Sequence, residues 1–162
     1  EAGMPPAAGM RTGAGLTPGA VAVVFAGGSV GTAVRAAVEA TFGAPAGTWP
    51  WATFGINLSG AFLLGALLEV LARSGPDTGR RRLLRLGLGT GVLGGYTTYS
   101  TFSVETLGLL QSGAWLPGIG YALSSVALGF LAAFAGIRLA RALPGASPRR
   151  KSGTPGRPGA GS

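Results

Sequence analysis

The stretch Gly94-Gly95-Tyr96-Thr97-Thr98-Tyr99-Ser100-Thr101 decides how this chain folds. It lies inside an apolar run from Leu83 to Leu110 that is too long for one simple bilayer crossing. Two adjacent glycines followed by hydroxylated and β-branched residues make poor helix. The stretch therefore predicts a membrane helix broken near the midplane. A helix that unwinds at that depth frees carbonyls that need a partner, and a bound monovalent cation is a recurring solution. Beyond the break, Tyr99, Ser100, Thr101, Phe102 and Ser103 resume a helix with hydroxyl donors and rings close together. Ring edges are electropositive, so rings turned edge-on could pass a small anion that carbonyls repel.

Three more apolar stretches surround this one: Gly19 to Thr41, Trp49 to Ala72, and Trp115 to Leu143. Each reaches the about 20 residues that a helix needs to cross a bilayer core about 30 Å thick. The expected fold is an all-α membrane protein with four transmembrane helices over residues 18–143, the third of them broken. Composition agrees, since 47% of the 162 residues are hydrophobic and 11% are charged, against about 25% charged in soluble proteins. Residues 1–17 and the basic segment 144–162 are rich in Gly, Pro, Ala, Ser and Arg, and are expected to be disordered tails. The opening segment has no basic region followed by a short apolar stretch and a cleavage site, so no removable signal peptide is expected. Small residues at Gly27 and Gly31, and at Gly55, Gly60 and Gly65, suit close helix packing.

No cysteine and no histidine occur, and the five acids are Glu1, Glu39, Glu69, Asp77 and Glu105. Disulfides, thiolate nucleophiles, the commonest metal ligands and a neutral-pH general base are all excluded, which argues against an enzyme. The net charge of +8 sits in arginines beside apolar runs rather than among aromatics on a polar face, so nucleic acid is not the expected partner. The arginines instead set topology. The loops 42–50 and 111–117 hold no basic residue, whereas Arg11, Arg73, Arg80, Arg81, Arg82, Arg85 and the basic end of the chain fall on the other side. Both termini are thus expected in the cytoplasm of a multi-pass plasma (inner) membrane protein.

Polar groups within the spans are candidates for function, because unpaired they cost several kcal/mol in lipid. They are Arg35 with Glu39, Asn57, the Thr/Ser cluster with Glu105, and Tyr121 with Ser124 and Ser125. Arg35 and Glu39, four apart, can neutralise each other on one face. Asn57 either bonds between helices or lines an aqueous path, and the second reading is favoured because amide donors suit an anion that must shed water. A small proton-coupled multidrug exporter is the alternative. It needs a carboxylate near the centre of a span, and Glu39 and Glu105 lie nearer the ends of theirs.

Gly28-Ser29-Val30-Gly31-Thr32-Ala33-Val34-Arg35, the context Gly55-Ile56-Asn57-Leu58-Ser59-Gly60, and above all the run Gly94 to Glu105 resemble the CrcB/Fluc fluoride channels over roughly residues 19–143. The resemblance implies a passive, fluoride-selective channel that lowers cytoplasmic fluoride, built as an antiparallel dimer of inverted subunits with two pores. It implies a structural sodium ion at the dimer centre, held by the main-chain carbonyls of Gly94 and Thr97. It matches Tyr99 and Phe102 to the pore phenylalanines, Asn57 to the pore asparagine and Arg35 to the vestibule arginine, with Tyr121, Ser103 and Thr101 extending the polar track. Tyr99 stands where that family usually has Phe. The one-sided arginines predict a single orientation, so the partner expected in the bilayer is a homologous second subunit inserted the other way.

Overall fold

The computed structural model describes residues 17–45 and 47–143. The expected tails, 1–17 and 144–162, fall outside the described residues apart from Thr17. The described residues form helices and no strand: α1 (Pro18–Phe42), α2 (Trp51–Arg73), α3 (Gly79–Leu84), a π-helical segment (Arg85–Leu93), α4 (Gly94–Tyr96), α5 (Tyr99–Gln111) and α6 (Trp115–Ala142). Of these, α1, α2 and α6 are long and apolar enough to cross a membrane. The surface matches that reading, with Phe25 77% and Phe130 80% exposed, a distribution that suits acyl chains and not water.

Local chemistry fixes the ends. Thr17 caps α1 by accepting a hydrogen bond from the Ala20 amide at 3.3 Å, with Pro18 in the first turn, where no amide proton is needed. Between α5 and α6 the chain reverses at Gly113, whose φ of 81° only glycine adopts cheaply. There Ala114 N–H reaches Leu109 O (3.0 Å) and Gly113 N–H reaches Leu110 O (3.1 Å), the pairing of a Schellman motif.

Between membrane helices there is little hydrophobic drive, and close approach of backbones takes its place. Two layers of contact do this. A Cβ on Gly27 would fall on Gly87 O, one on Gly31 on Val92 O, and one on Gly95 on Gly28 O, so α1 lies directly on the π segment and α4. Likewise Gly65 lies against Ala133 O and Gly136 against Phe62 O, which presses α2 onto α6. Gly60 faces the Thr97 methyl, whereas Gly55 has nothing within 4 Å. The expected packing role thus holds at Gly27, Gly31, Gly60 and Gly65 and fails at Gly55, which borders an open groove with Trp51 and Tyr96.

The two ends of the bundle differ. At one end the Arg73 guanidinium donates to Ala140 O (2.6 Å) and Leu143 O (3.3 Å), closing the end of α6, and Arg141 pairs with Glu69 at 3.0 Å. Arg85 meets Asp77 at 2.8 Å there, and its hydrogen bond holds that loop carboxyl below the usual carboxylate range. At the other end the Trp49, Trp51, Phe54 and Tyr121 rings cluster, their centroids linked at 5.6 to 6.4 Å.

Gly136→Val should force α6 off α2 and cost about 1–3 kcal/mol, the usual range for overpacking. Gly129→Ala, with nothing within 4 Å of its Cβ, should cost nothing and gain up to about 1 kcal/mol of helix propensity. Thermal unfolding of the detergent-purified variants separates the two, and equal midpoints would disprove the tight crossing.

Candidate functional site

The run 79–111 is helical at both ends and interrupted once. In its π segment hydrogen bonds reach back five residues, as from Gly94 N–H to Gly89 O. The last closed turn joins Thr97 N–H to Leu93 O at 3.0 Å, and the Thr97 hydroxyl donates to the same carbonyl at 3.0 Å. Thr97 (φ −76°, ψ 156°) and Thr98 (φ −143°, ψ 126°) are then extended, and α5 starts at Tyr99. The expected break is present but narrower than the quoted stretch: Gly94, Gly95 and Tyr96 remain helical, because α1 supports them from behind.

Thr98 is 8% exposed, so its backbone groups cannot rely on water. Asn57 of α2 meets both of them. Its Nδ2 donates to Thr98 O at 2.9 Å, and its Oδ1 accepts from Thr98 N–H at 2.9 Å. The Thr98 hydroxyl accepts from Thr101 N–H at 3.1 Å and caps α5. In an unbroken α-helix Thr98 N–H would close on Gly94 O and Thr101 N–H on Thr97 O. Both amides are diverted, and these two carbonyls lose their helical partners. Next to Gly94, the carbonyl of Gly95 accepts from Arg35 Nε (3.2 Å) and Thr32 Oγ1 (3.4 Å). Arg35 also sits 3.4 Å from Glu39, so it serves the break and the ion pair together.

In front of the break lies a cavity of about 290 Å³ lined by Asn57, Thr97, Thr98, Tyr99, Phe102, Ser125 and Val126. Phe102 is 6.0 Å from Tyr99 and 5.3 Å from Tyr121, centroid to centroid. Tyr121 continues edge-on to Trp49 at 5.6 Å, giving a row of rings from the break to the aromatic end. Ser125 Oγ is buried and has no hydrogen-bond partner, an arrangement that calls for a ligand or water. Asn57, Tyr99, Phe102 and Thr97 of the expected site thus converge, while Tyr121 stands behind Phe102. Thr101 and Ser103 do not line the cavity: the Thr101 hydroxyl accepts from Thr98 at 3.0 Å, and Ser103 donates to Tyr99 O at 2.8 Å.

Farther along, the Glu105 carboxylate accepts from Thr53 Oγ1 (2.8 Å) and Tyr121 OH (2.9 Å). Tyr121 is 0% and Thr53 1% exposed. Thr53 escaped the sequence reading, although it stands four residues before Asn57 on one face of α2. Ser125 was visible as a polar residue in its span, four after Tyr121, and the fold brings it to the cavity beside Phe102.

Residues 22–137 match the CrcB-like protein family, Camphor Resistance (CrcB). The fluoride-specific ion channel FluC 1 of Cutibacterium acnes is 48% identical over 128 residues, covering 79% of this chain and 90% of that protein. FluC 2 of Leifsonia xyli subsp. xyli is 51% identical over 121 residues (75% and 83%). FluC of Rhizobium meliloti is 40% identical over 124 residues (76% and 97%).

Asn57→Leu strands both buried backbone groups of Thr98 and should destabilise the fold by about 2–6 kcal/mol, at about 1–3 for each group. Asn57→Asp keeps the acceptor for Thr98 N–H and should fall between. Thermal midpoints in detergent test the order; a Leu variant as stable as the parent would remove Asn57 from the break.

Proposed function

The chain belongs to the CrcB-like protein family, and from that membership we propose that it is a fluoride-selective channel subunit that lets cytoplasmic fluoride leave passively. The family's named activity is ion conduction, not catalysis. The observation that carries the reading is the cavity at the Thr97–Thr98 break, where rings, the Asn57 amide and the unpartnered Ser125 hydroxyl face one space. Fluoride is small and strongly hydrated, so a pore must supply replacement hydrogen bonds. Asn57 spends one Nδ2 proton on Thr98 and has a second left. Ser125 has a free hydroxyl, and the edges of Phe102 and Tyr99, which line the same space, offer partial positive charge. Thr101, Ser103 and Arg35 act behind this track, as supports of the break.

The segment 79–111 is the remaining span of four: its start lies beside Val23 near the beginning of α1, and its end borders Ala44 and Thr48, beyond the far end of α1. Both termini then share the arginine-rich side, which the positive-inside rule puts in the cytoplasm. The carbonyls of Gly94 and Thr97, stripped of their helical amides, fit a sodium ion, which would neutralise them and fix the break. Carbonyls of one chain supply too few ligands, so the ion calls for a second subunit in inverted orientation. Tyr99, 81% exposed beside the break, is the ring such a subunit would cover. With arginines at one end only, that subunit is a homologue carrying the opposite bias. The exporter reading gains no support, since Glu39 is paired with Arg35 and Glu105 is held by two hydroxyls.

Fluoride efflux from liposomes tests this directly. Vesicles holding this chain together with a homologous subunit of opposite bias should release fluoride, and vesicles holding this chain alone should not. No flux in either would refute the channel. Phe102→Ala should cut flux by about tenfold or more, in line with losing about 1.4 kcal/mol from the path. Glu105→Gln should leave most of the flux; its collapse, with loss of drug resistance in cells, would favour the carrier.

A further inference from the structure

At the arginine-rich end, the face between α1 and the π segment carries a groove of about 440 Å³ lined by Val23, Arg80, Leu83, Leu84, Gly87 and Leu88. Gly87 is buried and forms its floor, where a Cβ would come within 2.7 Å of Val23. The walls are apolar and open, with Val23 36%, Leu83 42%, Leu84 49% and Leu88 44% exposed. Arg80 is the one polar residue on the lining. The ion pairs found among the described residues engage Arg35, Arg85 and Arg141 and leave Arg80 out, and Arg81 and Arg82 follow it in sequence.

A slot this apolar, ending at an unneutralised guanidinium, has a definite depth in a bilayer. The leucine walls lie at acyl depth, and Arg80, preceding them at the start of α3, lies at headgroup depth. A cation there favours a lipid with net negative charge, since zwitterionic headgroups bring their own cation to the same place. Guanidinium also matches the phosphate diester, with paired donors on one planar fork. A second copy of this chain docked here in the same orientation would set Arg80 to Arg82 against the same three charges.

We propose that this groove binds an anionic phospholipid, one acyl chain lying along Leu83, Leu84 and Leu88 and the headgroup phosphate on Arg80. The assignment rests on the membrane placement given above and not on which ion is conducted.

A tryptophan introduced by Leu88→Trp into the full chain, reconstituted in phosphatidylcholine vesicles, reports occupancy. The native Trp49, Trp51 and Trp115 sit at the opposite end of the bundle, and the unchanged chain supplies their background. Brominated phosphatidylglycerol should quench the added indole with about fivefold preference over brominated phosphatidylcholine, the effect of one basic residue near the surface. Adding Arg80→Gln should bring that ratio close to one. Leu84→Trp gives the same readout should the first variant fail to fold. Equal quenching by both lipids with Arg80 intact overturns the proposal, as does a preference that survives Arg80→Gln. Quenching by neither overturns it too, by showing the face covered by another subunit. Because the readout needs no fluoride, vesicles that keep the lipid preference but release no fluoride even with the homologous subunit present would support the groove and count against the channel alone.

Discussion

Two hydrogen bonds between the Asn57 side chain and the Thr98 backbone organise this molecule. A chain that stops being helical where water cannot reach it, as at the buried Thr98, exposes amides and carbonyls to surroundings that cannot solvate them, at several kcal/mol per group. Asn is the side chain that answers this, because its amide mimics a neighbouring peptide and meets donor and acceptor at once. The remaining disruption follows: the Thr98 hydroxyl starts α5, Arg35 and Thr32 take up Gly95 O, and the carbonyls of Gly94 and Thr97 stay available. The break is thus a built feature, secured from α1 on one side and α2 on the other.

That security depends on how near the helices come. Glycines put α1 on the π segment and α2 on α6 with backbone against backbone. Polar anchors then lock the ends, Arg73 on the α6 carbonyls and Glu69 to Arg141. Exposed pairs of this kind contribute little in water, but at a bilayer surface they also hold the helix ends at one depth. Burial alone would not distinguish this fold, since most of its large apolar residues face outward.

Much of this was legible in the residues. Three helices lie within two residues of the limits that hydropathy sets, and the break lies inside the glycine–threonine stretch. Periodicity could not show its exact place, because Gly94 to Tyr96 owe their helical form to tertiary support from Gly28, and propensity carries no knowledge of neighbours. Asn57 stood out as a polar residue at depth, but its commitment to Thr98 is a contact 41 positions away in sequence. Thr101 and Ser103 looked like pore donors from composition. In the fold Ser103 donates to its own helix backbone at Tyr99 O, a bond open to any hydroxyl on a helix, and the Thr101 hydroxyl accepts from that of Thr98. Thr53 was missed for the opposite reason: a lone threonine near a helix start signals nothing until Glu105 is brought to it.

The π segment from Arg85 to Leu93 imposes a restriction of its own. Its wide turns set the phase between the arginine-bearing start of this run and the face that carries Gly91 and Gly95 onto α1. Removing one residue would let the backbone relax to ordinary turns and would rotate everything downstream by about 100°, swinging Gly95 away from Gly28 and Thr98 away from Asn57. Side chains in this segment can vary wherever space allows, but its length cannot. Over evolutionary time it should accept replacement far more readily than insertion or deletion.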